Sequence, residues 1–151
     1  MMHHFYETRA RGMVMSEQGA SVIALLQINP TVGDLEGNAA RIERFIQTAS
    51  ASGAVACVST ELAICGYPPR DLLMQSSFVK FAQNAAFELD VPIPSLIGTP
   101  TLPDNVRSKP GNGVVLIGNA APAKIVARKQ LLPTYDVFDE ARYFESDDRP
   151  G

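Results

Sequence analysis

Apolar and polar positions along this chain fall into blocks with the lengths of strands and helices. Ser21 to Gln27 (S-V-I-A-L-L-Q) is apolar at successive positions, which predicts a short strand covered on both faces. Asn29, Pro30 and Gly33 break it, and Asp34 is placed to cap a helix. Ala39, Ile42, Phe45, Ile46 and Ala49 then recur at helical spacing, with Arg41, Glu43 and Arg44 on the other face and Gly53 as the stop. Ala54 to Thr60 reads as a second strand. Strand, helix and strand joined by short loops predict a parallel pair with a right-handed crossover. Ser76 or Ser77 can cap a second helix, whose predicted buried stripe is Phe78, Phe81, Ala82, Ala85 and Leu89. Ser95–Thr99, Gly113–Gly118 and Ala123–Lys129 read as three more strands, the last two an antiparallel hairpin. Leu102 to Gly111 reads as a polar surface loop, and Gly111-Asn112-Gly113 as a turn rather than a phosphate cradle, because a strand follows it. From Gln130 onward regular signals are few, and Phe138, Tyr143 and Phe144 are what that segment has to bury.

Composition narrows the class. The chain has 151 residues, 46% of them hydrophobic and 19% charged, so it should fold. A net charge of -3 offers no footprint for nucleic acid, and no apolar run reaches membrane-spanning length. The two cysteines, Cys57 and Cys65, have neither a common zinc spacing nor the number for a disulfide framework, so a reducing, cytoplasmic setting is expected. Residues 1–19 read as a flexible polar extension without the apolar core of a signal peptide. His3 and His4 lie in it and read as a solvated tail, so no metal site is expected.

Candidate chemistry begins at Glu61, where the second strand stops and Gly66, Pro68 and Pro69 impose a rigid turn. The period-2 rule puts Glu61 on the face of Val55, Cys57 and Ser59, provided the strand runs that far. Its carboxylate would then emerge beside apolar and thiol groups, surroundings suited to a group that takes and returns a proton. In the last strand, Lys129 ends the face of Ala123, Ile125 and Ala127, whereas Arg128 shares the polar face with Lys124 and Val126. An inward lysine at a strand end needs a carboxylate or an anion. Glu61 and Lys129 would satisfy each other if both opened at the same rim. Taken alone, they could equally be a solvated strand-end carboxylate and an ordinary rim lysine.

Four stretches, in order, carry a family resemblance. They are Gln27-Ile28-Asn29-Pro30-Thr31-Val32-Gly33-Asp34 with Gly37-Asn38; Glu61-Leu62 with Gly66-Tyr67-Pro68-Pro69 and Asp71-Leu72-Leu73; Arg128-Lys129-Gln130-Leu131-Leu132-Pro133-Thr134-Tyr135; and Val137-Phe138-Asp139-Glu140-Ala141-Arg142-Tyr143-Phe144. Together they resemble the amidase (glutaminase) half of glutamine-dependent NAD+ synthetases, within the nitrilase or carbon-nitrogen hydrolase superfamily. The G-Y-P-P-x-D-L-L and V-F-D-E-x-R-Y-F pieces point to the synthetase branch.

The resemblance implies an α/β fold, the N-terminal part of a nitrilase-like α-β-β-α sandwich, over residues 20–151. It implies that Glu61 is a general base and that Lys129 stabilises the tetrahedral oxyanion. Tyr135 would line a glutamine pocket, and Tyr67 would stand near that pocket or the ammonia exit. The family's nucleophilic cysteine lies on a later strand, so the 151 residues are expected to be inactive alone, with an open sheet edge and an uncovered apolar face. Cys65, in the turn, does not match that nucleophile. The implied partners are L-glutamine, a C-terminal synthetase domain of the same protein, and further copies in a homo-oligomer. This segment itself needs no cofactor; ATP and Mg2+ are implied only for the synthetase domain. Two rivals stand beside this expectation: a stand-alone amidase acting on another amide, and a catalytically inactive truncated fragment.

Overall fold

The computed structural model describes residues 21–105, 108–118, 121–135 and 138–147. The expectations for the N-terminal extension, including His3 and His4, lie outside these residues. Five strands form one sheet in chain order: β1 (Val22–Leu26), β2 (Ala54–Ser59), β3 (Ser95–Thr101), β4 (Gly111–Ile117) and β5 (Lys124–Arg128). The β1–β2 and β2–β3 pairs are parallel, as expected for strands joined through helices, and β3–β4 and β4–β5 are antiparallel. Helices α1 (Leu35–Ala51) and α2 (Ser76–Phe87) supply the crossovers, and a short α3 (Glu140–Tyr143) follows the sheet.

Helix α1 begins as its sequence predicts. The Asp34 side chain accepts from the Gly37 N–H at 3.0 Å and so caps the N-terminus. Its core face carries Ile42 and Ile46, both fully buried. Helix α2 departs in two ways. Gln75 precedes it without a side-chain cap, and Ser76 is already its first residue. Its buried residues are Val79, Ala82 and Ala86, while Phe81 is 62% exposed. Phe78, Ala85 and Leu89 stay on the core side, so the stripe runs beside Phe81 rather than through it.

The expectation that β1 is covered on both faces is overturned. Leu26 is buried and Ala24 packs against the core, but Ile23 and Leu25 point away from it, Leu25 at 77% exposure. Val55 of β2 is also exposed. An apolar run reports that a strand is fit to be covered, not that a cover is present, and β1 is an edge of this sheet. The uncovered apolar face anticipated from the family resemblance is therefore present among the described residues.

The glycine-flanked segment Gly111-Asn112-Gly113 is strand, not turn, and pairs with Thr99, Pro100 and Thr101. Its glycines reflect crowding. A Cβ on Gly111 would lie 2.6 Å from the Arg128 side chain, and one on Gly113 would lie 2.5 Å from the Thr101 methyl. The Arg128 side chain, expected on a polar face, is held rather than solvated. Its Nε donates to Thr101 Oγ1 at 2.9 Å, its Nη1 to Asp104 at 2.9 Å, and its Nη2 to the Leu102 carbonyl at 3.1 Å. These bonds fix the end of β5, and the next residue is Lys129.

Two loops lock together beneath the site. Asn38, fully buried on α1, donates to the carbonyls of Thr31 at 2.7 Å and Ile64 at 3.0 Å, and accepts from the Thr31 N–H at 2.9 Å. The Gly33 N–H donates to the Cys65 carbonyl at 2.9 Å. Gly66, at φ +78°, lies so close to Val32 that a Cβ would approach its backbone to 2.7 Å. Asn38 thus ties residues 31–33 to the turn that begins at Glu61. Asn38→Ala should cost about 1–3 kcal/mol for each buried partner left unsatisfied, read as a lower denaturant midpoint.

Candidate active site

Strand β2 ends at Ser59, so Glu61 is not its last residue but the first of a tight turn. Leu62, at φ 49°, takes the left-handed conformation, which a bulky side chain rarely adopts. Complete burial of Leu62 and the bonds of its carbonyl with the Cys65 and Gly66 N–H groups, 3.1 and 2.9 Å, hold it there. Beneath the turn passes Gly98 of β3. A Cβ on Gly98 would lie 2.5 Å from the Thr60 carbonyl oxygen, 2.7 Å from Leu62 N and 3.1 Å from Glu61 Cα. Ser59 Oγ accepts from the Gly98 N–H at 2.9 Å, and Ile64 N–H donates to the Gly98 carbonyl at 3.3 Å. The backbone that carries Glu61 therefore rests on bare strand.

The structure brings Glu61 and Lys129 together, Nζ to Oε1 at 3.0 Å. The surroundings of Glu61 differ from the apolar and thiol ones expected. Its polar neighbours are this ammonium and the side-chain amide of Asn112, whose Nδ2 donates to the same Oε1 at 2.6 Å. The strand rule failed because the chain leaves β2 before Glu61 and turns over Gly98. Lys129 lies just beyond β5, and its own N–H donates to the Asn112 carbonyl at 2.7 Å.

Two residues that sequence reasoning did not single out as site residues complete the cluster. One is Asn112. The other is Glu140, the first residue of α3, which is 5% exposed. The Lys129 ammonium lies 3.1 Å from its Oε1 and 2.8 Å from its Oε2. Bonds from Glu140 N–H to the Pro133 carbonyl, 3.1 Å, and from Glu145 N–H to the Pro110 carbonyl, 2.9 Å, anchor α3, and Phe144 buries beside it. A carboxylate this buried needs a cation, and Lys129 is that cation. The available signal was the acidic residue within V-F-D-E-x-R-Y-F, but the segment has no periodicity from which to place a side chain.

Burial by itself pushes the Lys129 ammonium down. Its hydrogen bonds and charge interactions with Glu140 and Glu61 outweigh burial and hold it above its ordinary value. It is therefore a fixed positive charge at neutral pH. Three carboxylate oxygens, one of Glu61 and two of Glu140, lie within 3.1 Å of its three N–H groups.

Tyr67 is drawn into this cluster, its phenol donating to Glu140 Oε1 at 3.2 Å. Burial and then the Glu140 carboxylate push its hydroxyl up, so it remains a donor. Tyr135 is not drawn in. Its ring is 69% exposed and meets Phe138 edge-on, centroids 5.9 Å apart. Tyr143 donates to Asp71 at 3.2 Å, linking α3 to the 3-10 turn Arg70–Met74.

Burial disfavours the thiolate at both cysteines. Both are free and buried. Burial pushes the Cys65 thiol up to about 12, and its Sγ lies 3.5 Å from the Gly66 carbonyl and 3.7 Å from that of Leu62. Burial also raises the Cys57 thiol, against a smaller opposing effect of Ser95. A thiol held protonated is a poor nucleophile.

The carbon-nitrogen hydrolase family model matches residues 22–149. A glutamine-dependent NAD(+) synthetase of Synechocystis sp. is 43% identical over 133 residues, covering 82% of this chain and 24% of that protein. The enzyme of the same name from Thermotoga maritima is 34% identical, over 82% of this chain and 21% of its own length. Among solved structures, a glutamine-dependent NAD+ synthetase of Acinetobacter baumannii superposes with a TM-score of 0.76 at 27% identity, over 84% of this chain and 24% of that one. A Nesterenkonia amidase of the nitrilase superfamily shares the fold, with a TM-score of 0.71 at 23% identity. This chain spans about a quarter of the length of the synthetases it matches. Its five-stranded sheet with helices corresponds to part of the nitrilase-like fold. By the extent of the family match, the chain belongs to the carbon-nitrogen hydrolase family.

Proposed function

We propose that this chain is the N-terminal part of the glutaminase domain of a glutamine-dependent NAD+ synthetase. The observation that carries the chemistry is the Lys129 ammonium, shared between Glu61 at 3.0 Å and the buried Glu140 at 2.8 Å. Glu61 takes the proton of a cysteine thiol, and the sulfur adds to the glutamine amide carbon. The Lys129 ammonium stabilises the oxygen on which negative charge develops. Ammonia leaves with a returned proton, and a thioester remains. Glu61 then deprotonates water, which attacks the thioester carbon; the C–S bond breaks, glutamate leaves and the sulfur regains the proton from Glu61.

The burial of Cys57 and Cys65, which disfavours the thiolate, supports a nucleophile supplied from outside these 151 residues, so the segment alone should not hydrolyse glutamine. Tyr67 and Tyr135 are placed here as residues of the glutamine pocket. Tyr67 stands at the edge of the charged cluster through its bond to Glu140, and the exposed ring of Tyr135 is free to meet a ligand. The ammonia passes to a synthetase domain that amidates deamido-NAD+ with ATP and Mg2+. The sequence carries neither a G-x-x-x-x-G-K-[ST] nor a G-x-G-x-x-G pattern, which supports assigning ATP and Mg2+ to that domain. Two unpaired thiols support a cytoplasmic setting. No helix among the described residues is long and apolar enough to cross a membrane. The exposed apolar face of β1 and β2 supports burial against further chain, within the same protein or in a homo-oligomer.

Paired assays in the protein that carries this chain test the reading. Glu61→Ala should abolish glutamine-dependent NAD+ formation while ammonia-dependent formation survives. Loss of both activities together would show that Glu61 is structural.

A further inference from the structure

We propose that Asn112 is a positioning residue that decides which oxygen of Glu61 acts as the base. The inference rests on the reading of Glu61 as the general base of an amide hydrolase.

The carboxylate has two oxygens, and the cluster treats them unequally. Asn112 Nδ2, at 2.6 Å, and Lys129 Nζ, at 3.0 Å, both donate to Oε1. Oε2 receives neither. An oxygen holding two charge-assisted hydrogen bonds has its lone pairs engaged and is the poorer proton acceptor. Oε2 is the oxygen left to take a proton, and the two bonds on Oε1 fix its direction. The atom of Asn112 that faces Glu61 must be the amide nitrogen, because two oxygens 2.6 Å apart would repel.

Asn112 is well mounted for this task. It is 5% exposed, lies in the middle of the Pro100 pairing between β3 and β4, and has glycines on both sides. Its carbonyl accepts the Lys129 N–H at 2.7 Å. One residue thus holds the backbone of the lysine through its main chain and the carboxylate through its side chain. The separation matters for a test, because side-chain substitutions leave the main-chain bond in place.

The decisive comparison is Asn112→Ala against Asn112→Asp in the protein that carries this chain, assayed for amide hydrolysis over glutamine, asparagine and short aliphatic amides. Asn112→Ala deletes one bond to a charged group and should lower kcat roughly 10- to 100-fold, with KM within about twofold. Asn112→Asp preserves volume but faces Glu61 with a second carboxylate, and should lose more than the alanine variant. A residue needed only for packing predicts the opposite order, the near-isosteric aspartate milder than alanine. That order, or an effect confined to KM, would overturn the proposal. Ordering as expected on an amide other than glutamine would overturn the glutamine assignment and support the role of Asn112.

Discussion

Lys129→Ala should lower both activity and stability, and each by a large amount. In the proposed function the lysine is the donor to a developing oxyanion; removing such a donor costs on the order of 10²–10³-fold in kcat, and the same side chain also holds Glu61 in place. The variant should be destabilised as well. It strands Glu140, whose side chain is only 7% exposed, without its cation. Breaking a buried pair from one side costs about 3–5 kcal/mol, and the partial exposure of Lys129 argues for the lower end. Adding Glu140→Gln should separate the two effects. Neutralising the stranded carboxylate should restore much of the stability, measured in denaturant, while glutamine hydrolysis stays as low as in Lys129→Ala. A double variant as unstable as Lys129→Ala would show that the ion pair is not what the lysine contributes to folding.

Gly98→Ala should be nearly as damaging to activity, although residue 98 has no polar side chain and forms no part of the charged cluster. The added methyl would meet the Thr60 carbonyl at 2.5 Å and Leu62 N at 2.7 Å, both main-chain atoms with no rotamer to yield. Either β3 or the Glu61 turn must move. Overpacking of this kind costs about 1–3 kcal/mol. A displacement of about 1 Å at a reacting group can cost on the order of 10²-fold in rate. Glutamine hydrolysis should therefore fall by about that factor while the melting temperature drops only modestly. Full activity in this variant would mean that the turn tolerates displacement and that Glu61 is placed by its side-chain partners alone.

The sequence made some of this legible and concealed the rest for physical reasons. Asp34 capping α1, the parallel start of the sheet and the β4–β5 hairpin are local matters, set by caps, periodicity and short loops. Glu61 and Lys129 stood out because a charge at the end of an apolar run is a local anomaly. Glu140 did not, because its burial comes from a side chain 11 positions earlier and from carbonyls that hold α3 from two other segments. Asn112 was hidden by its glycines. Flanking glycines resemble a turn, and only the closeness of Arg128 and Thr101 shows why a strand would carry them. Phe81 misled in the opposite sense, since a large apolar residue at helical spacing proves to lie one position off the buried stripe.

The bracket made by Asn38 couples distant parts of the chain. It joins residues 31–33 to the turn at 62–66, with β1, α1 and β2 between or beside them. Loop closure over some thirty residues gains nothing until both ends have docked. Pairing of β1 with β2 closes the same span, so the bracket adds to that pairing and to the bonds that Leu62 and Gly98 already give the turn. The place of the Glu61 carboxylate thus depends on a contact between segments some thirty residues apart in sequence, so damage to α1 at Asn38 should be felt at the turn as well as in the core.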